Sequence, residues 1–203
     1  MIPRMSEPAT TIRRSERRAR EHLATRASIL DAARRVAARE GAREMSLRGV
    51  AAEAGFAPAA LYSYFAGKDE LLLALAAEDL STIARAMRGA AAGREGKGKL
   101  AAAAAAALDL LRNTETIAAG SAALPASAGT GEAERLFNGR MIAVLKVLSD
   151  VSGQSSDSRD AQCDVLLMGA TLSGLALLAR AGRLEVLGFS IDEVLARLET
   201  RFS

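Results

Sequence analysis

The sequence predicts an all-α fold, and three observations carry that expectation. Half of the residues are hydrophobic, mostly Ala and Leu, while aromatics make up only 3 %; straight-chain residues lose little rotamer freedom in a helix, and the β-branched and aromatic residues that strands favour are sparse. Apolar residues recur at i, i+3, i+4 and i+7, the spacing of a helix with one buried face, and no segment alternates with the period of two that a strand needs. Gly, Pro and Ser clusters then punctuate the chain at helix-sized intervals. A chain of 203 residues with this composition is long enough for one helical domain, or a small domain joined to a larger one.

Taken in order, Thr25 is positioned to cap a first helix to about Glu40, with Ile29, Leu30, Ala33, Val36 and Ala37 on one face and Gly41 as its stop. Ser46 is a good N-cap for a short second helix, Leu47 to about Ala54, closed by Gly55 in a position suited to positive φ. After a tight turn, Pro58 suits the first position of a third helix because its missing N–H would be unpaired there, and Leu61 and Phe65, four apart, form its inner face. Asp69 and Glu70 sit at the positive end of a fourth helix running to about Arg88. The segment GAAAGREGKGK, residues 89–99, is a linker or inter-helix loop. Helices follow over about 100–113, with its seven consecutive alanines, 116–123, 132–149, 160–181 and from a capping box at Ser190 and Glu193 to about Arg201, with loops at 127–131 and 151–160.

Charge is distributed unevenly. The chain's net charge is +3, yet residues 1–20 alone carry six arginines (Arg4, Arg13, Arg14, Arg17, Arg18, Arg20) against Glu7 and Glu16, so the basic character belongs to the N-terminus. This reads as a flexible arm over residues 1–21, able to track phosphates or enter a minor groove; a solubilising tail is the plainer alternative. The one cysteine, Cys163, cannot form an internal disulfide, and the N-terminus has no continuous apolar stretch, so a reducing cytoplasm is expected. The longest uncharged apolar run, 165–179, is shorter than the roughly 20 residues that span a bilayer, and a buried helix with no membrane partner is the simpler reading.

Catalysis finds little support. The single histidine, His22, lies beside the basic segment, Cys163 has no second histidine to pair with, no paired-ligand spacing suits a metal, and GREGKGK lacks the context of a phosphate-binding loop. A protein that is not an enzyme, with no cofactor, is expected.

The helix, Ser-capped helix, Gly-terminated turn and Pro-started helix, with S46-L-R48-G-V-A-A-E-A-G55 and then L61-Y62-S-Y64-F65-A-G-K68-D-E-L71, resembles the N-terminal domain of the TetR (TetR/AcrR) family of bacterial transcription regulators over about residues 25–75. The resemblance implies an N-terminal three-helix helix-turn-helix DNA-binding domain, residues 22–82 with the motif at about 46–65, joined through a fourth helix to a C-terminal effector-binding and dimerisation domain, residues 83–203, about nine helices in all. It implies that Ser46 contacts a phosphate, Arg48 reaches a base or phosphate, Tyr62 and Tyr64 hold the DNA backbone, and Lys68 anchors the start of the fourth helix there. Tyr64 stands where the family commonly has histidine. Ala57 and Ala59 replace a capping Ser or Thr and a Gly, so neither offers a hydrogen bond; Pro58, Ala59 and Ala60 leave only methyl contacts to bases, with Ser63 as a small donor. Specificity is then expected to lean on Arg48, on Arg13, Arg14, Arg17 and Arg18 in a minor groove, and on DNA shape. Plainer readings stand beside these: a packed helix tyrosine for Tyr62, a solvated charge for Arg48, a helix-end charge for Lys68.

The family resemblance also implies a homodimer and an effector pocket. Small residues at Gly169, Ser173 and Gly174, with Leu177 and, on the last helix, Leu195 and Leu198, are the candidate dimer contacts. Leu108, Leu111, Phe137, Met141, Met168 and Thr171 are the candidate pocket lining, each of which core packing would also explain; they suit a small, mostly apolar effector. The expectation is a cytoplasmic, nucleoid-associated regulator of bacterial transcription, a repressor that a ligand releases from a palindromic double-stranded DNA operator. The alternatives are a weakly specific architectural DNA-binding protein and a helical protein-interaction module without DNA readout.

Overall fold

The computed structural model describes residues 9–96, 98–124, 131–153 and 158–202, the side chains of 9–12 excepted. The described residues form ten helices and no strand: α1 (Ala9–Glu40), α2 (Leu47–Ala54), α3 (Pro58–Leu61), α4 (Lys68–Ala91), α5 (Lys99–Arg112), α6 (Thr116–Ala122), α7 (Glu132–Ser152), α8 (Arg159–Arg180), α9 (Arg183–Val186) and α10 (Ile191–Phe202). The short α9, which follows Gly182 at φ 63°, is the one helix without a counterpart in the expected order. The loop expected at 127–131 lies mostly outside the described residues, as do 154–157 of the loop expected at 151–160, whose ends are helical.

The chain divides into two compact units between Leu71 and Leu72, inside α4; the boundary expected after residue 82 falls further along the same helix. In the first unit α1 packs on α2, and α2 on α3. Ile29, Leu30, Ala33, Val36, Val50, Ala51, Leu61 and Phe65 are all buried, as their spacing requires. The caps expected for α2 are in place. Ser46 Oγ accepts the Gly49 N–H at 3.1 Å, and Gly55 at φ 75° terminates the helix, with the Phe56 N–H donated to Ala51 O at 2.9 Å.

The first helix differs from the expectation. It begins at Ala9, and Thr25, the expected cap, lies in its interior with Oγ1 donating to Glu21 O at 3.0 Å. Between Pro8 and Gly41 no residue breaks a helix, and the Ala, Arg and Glu of 16–24 favour one. From Ala9 on, therefore, the expected flexible arm is three turns of α1; Arg4 lies outside the described residues.

In the second unit α5, α7, α8 and α10 pack around a core that includes Leu100, Leu108, Leu148, Met168 and Leu195. The Gly98 N–H ahead of α5 donates to the Glu199 carboxylate on α10. A smaller cluster centred on Leu73, Ala77, Leu80 and Phe137 joins α4 to α7. At Gly120 a Cβ would lie 2.6 Å from Ala76 Cβ, so only glycine lets α6 approach α4 this closely. Thr116 Oγ1 donates to the Asp79 carboxylate, Thr114 reaches the same carboxylate at 3.3 Å, and Arg180 pairs with Glu115 at 3.0 Å.

Candidate nucleic-acid interface

The helix-turn-helix is built by α2, the turn at Gly55–Ala57 and α3. The α-helical part of α3 is four residues long, and its N-cap Ala57 makes no side-chain hydrogen bond. Tighter i→i+3 bonds continue the rise: Ser63 N–H to Ala60 O at 3.2 Å and Tyr64 N–H to Leu61 O at 2.9 Å. Leu61 and Phe65 are buried at 0 and 1 % exposure, whereas Tyr62 is 61 % exposed. The expected division between holding and presenting residues is thus present in the fold.

Arg48 projects from the first turn of α2 and is exposed, as are Ser46, Ala57, Pro58 and Ala59, while Ala60 is half-buried. Two expected contacts are already engaged within the chain. The Ser63 hydroxyl donates to Ala60 O at 2.7 Å, which occupies its only proton and leaves it an acceptor rather than the expected donor. Lys68 Nζ donates to Arg43 O and so ties the start of α4 to the loop before α2. Glu70 completes that helix start by accepting the Ala66 N–H at 2.6 Å.

Arg13, Arg14, Arg17, Arg18 and Arg20 are exposed on α1, so the arginines are presented by a helix. An α-helix about 10–12 Å across is wider than a minor groove of about 6 Å, so in this helical form the arginines do not have the shape of the minor-groove arm that was expected. Two residues that the sequence reading left aside complete the surface. The His22 ring stacks on Tyr64, with centroids 4.6 Å apart and planes within 17°, and the Arg26 guanidinium lies 4.9 Å over the Phe65 ring. Both continue the α1 face of Ile29, Leu30 and Ala33 by helical spacing, a signal hidden by placing the helix start at Thr25.

Glu53 accepts from Arg35 at 2.7 Å and Arg39 at 3.2 Å, fastening α2 to α1. The hydrogen bonds from Arg35, then Arg39, hold its carboxyl below the usual range. Among the described residues no group of three His, Cys, Asp or Glu side chains is placed to hold a metal ion.

In the second unit a cavity of about 340 Å³ lies between α4, α5, α7 and α8, lined by Ile83, Leu111, Met141, Leu145, Leu166 and Ser173 among others. Of the expected lining, Leu111 and Met141 are present. Leu108, Phe137 and Met168 are instead core, at most 2 % exposed, and Thr171 faces a separate groove beside α10. The expected dimer contacts also divide. Leu177 is exposed and Gly174 has open space before it, but Leu195 and Leu198 are buried against the chain's own α5 and α8 and present nothing to a partner. Gly169 lies against Leu145 and, with Ser173, lines the cavity.

α8 is, among the described residues, the one helix long and apolar enough to cross a membrane, although the uncharged run within it was expected to be too short. Its inner face, Val165, Met168, Leu172, Leu175 and Ala176, packs into the core; Leu166, Leu167, Leu177 and Leu178 lie outside.

Residues 29–75 match the family model described as bacterial regulatory proteins, tetR family. No curated protein sequence matches the chain. Among solved structures, a TetR family transcription regulator from Marinobacter aquaeolei VT8 is similar with 20 % identity and a TM-score of 0.59, covering 91 % of this chain and 95 % of that one. The transcriptional regulator FadR from Bacillus subtilis, solved in complex with stearoyl-CoA, shares 19 % identity with a TM-score of 0.59, over 85 % of this chain and 95 % of that one. A protein of unknown function from Rhodococcus sp. RHA1 reaches 25 % identity and a TM-score of 0.66, covering 88 % and 93 %. The capped α2, the Gly55 turn and the outward Tyr62 lie inside the matched segment, so residues 29–75 carry the domain described for bacterial regulatory proteins of the tetR family, and the chain as a whole shares its fold with solved regulators of that family.

Proposed function

We propose that this protein is a homodimeric, sequence-specific repressor that binds a palindromic operator and is released by a small, uncharged, apolar effector. The observation that carries the DNA reading is the joint exposure of Arg48 and Tyr62 on a capped, internally braced helix-turn-helix, with five exposed arginines on the adjoining α1. In this reading Ser46, Tyr62, Tyr64, Lys68 and the α1 arginines Arg13, Arg14, Arg17 and Arg18 meet phosphates and set the register. Arg48 reads a base edge, while Pro58, Ala59 and Ala60 offer methyl and ring contacts only, with Ala57 and Ser63 allowing close approach. DNA shape supplies the remaining discrimination.

The second copy is inferred from Leu167, Gly174, Leu177 and Leu178, an apolar face of α8 that a two-fold contact would cover. The effector class follows from the cavity, whose lining has no charged side chain. An acyl chain like that of the stearoyl-CoA held by the Bacillus subtilis FadR would suit such walls, whereas the phosphates of its head group would find no cation there. Release requires the effector to prefer the DNA-free geometry; turning a 1:99 population into 99:1 takes a preference of about 10⁴-fold. The site of action would be the bacterial cytoplasm, at the nucleoid.

The test is a titration of labelled duplexes, one enriched by the protein from a randomised pool and one unselected, at several salt concentrations. A marked preference for the enriched duplex is expected, and Arg48→Ala should reduce that preference by about 1–3 kcal/mol. Equal affinity for both duplexes would indicate a weakly specific architectural protein, and no binding to either an interaction module.

A further inference from the structure

His22 occupies a position that neither the fold nor the family match explains. On α1 the residues Arg14, Arg18, His22 and Arg26 succeed one another at intervals of four, so they lie in one row with a slow drift around the helix. Arg26 ends the row over the Phe65 ring, and His22 precedes it on the Tyr64 ring. The row therefore runs from the recognition turn outward along a rod of arginines. His22, itself exposed, covers one face of a half-buried tyrosine whose hydroxyl the proposed function sends to a phosphate. Glu21, the neighbouring acid, is paired with Arg17 at 3.5 Å, so the groups around His22 are the cations Arg18 and Arg26 on its own helix and the Tyr64 phenol from the facing turn.

We propose that His22 is a positioning residue of the DNA interface: its stack on Tyr64 fixes that ring for phosphate contact, and its imidazole adds a contact of its own between the Arg18 and Arg26 cations. A ring already held costs no ordering on binding, which is where the stack acts on affinity. Imidazole is the side chain whose charge changes between about pH 5 and 8, and His22 is the chain's single histidine.

The inference rests on the proposed DNA function, and the experiment separates the two. Binding of the wild-type chain, His22→Phe and His22→Ala to the enriched duplex is measured at about pH 6 and pH 8 over a range of salt, with thermal unfolding as the check on folding. For the wild type the salt slope should steepen toward pH 6 by up to about 0.9 per protomer, one phosphate contact. His22→Phe keeps the stack without the charge, so it should match the wild type at pH 8 and lose the change in slope. His22→Ala should bind about threefold to tenfold more weakly per protomer at both pH values, the cost of ordering one side chain that the stack no longer holds. If the wild type binds and His22→Ala binds equally well at pH 8, the positioning role is overturned. A change in slope that persists in His22→Phe overturns the charge contact. If the wild type binds no duplex at either pH, the proposed function itself fails.

Discussion

Glu53 shows how a single side chain sets the orientation of the reading head. Beside the buried apolar contact it ties α2 to α1 by accepting from Arg35 and Arg39, and those bonds keep its carboxyl below the usual range. A carboxyl lowered in the folded state stabilises at pH values above its unfolded value, about 4.3, and that contribution is lost as pH falls through the lowered folded value. Glu53→Gln should therefore unfold at a lower temperature than the wild type at pH 7, with the gap closing below about pH 4. Thermal melts across that range check it, and a gap independent of pH would exclude the carboxylate as the source. Other residue roles were legible in the sequence because they depend on near neighbours: the Ser46 cap, the Gly55 stop, and the burial of Leu61 and Phe65. The partners of Glu53, His22 and Arg26 were not, since each pairing crosses from α1 to another segment.

At the scale of elements, the turn between α2 and α3 is fixed by one backbone conformation. Gly55 adopts φ 75°, where a Cβ crowds the following carbonyl, although no other atom lies within 4 Å of a Cβ built there. Gly55→Ala should cost roughly 1–2 kcal/mol, readable by urea unfolding, whereas Gly55→Asn should cost less because Asn tolerates the left-handed region. Equal losses for the two would point to packing instead. α1 shows the opposite case, where local signals mislead. Thr25 has the chemistry of a cap, but a hydroxyl inside a helix can equally donate to the carbonyl one turn back, and it does so to Glu21. Helix propensity over 9–24 then carries α1 more than four turns further and makes the expected arm helical from Ala9 on.

For the whole molecule, the outer face of α8 is the feature that calls for a partner. Leu167 and Leu177 are 56 and 61 % exposed on a helix whose other side is core. Leu167→Glu would set a charge into the proposed two-fold contact, and sedimentation velocity should show the mass fall to that of one chain. Affinity for the enriched duplex should weaken with it, because two linked half-sites become one. A variant that sediments as a dimer would move the interface elsewhere.

The sequence by itself determined the class of fold, the order of the long helices and the helix-turn-helix between Ser46 and Phe65, because propensity, capping and hydrophobic period act over one or two turns. It also marked the reading head as poor in hydrogen-bond donors. Only the tertiary structure decided which element covers each apolar face. Leu195 and Leu198 sank into the chain's own core, Leu108 and Phe137 left the cavity wall, and His22 came to rest on Tyr64. Periodicity defines a helix's apolar face, but which neighbour covers that face depends on packing between segments distant along the chain, and no local pattern encodes it.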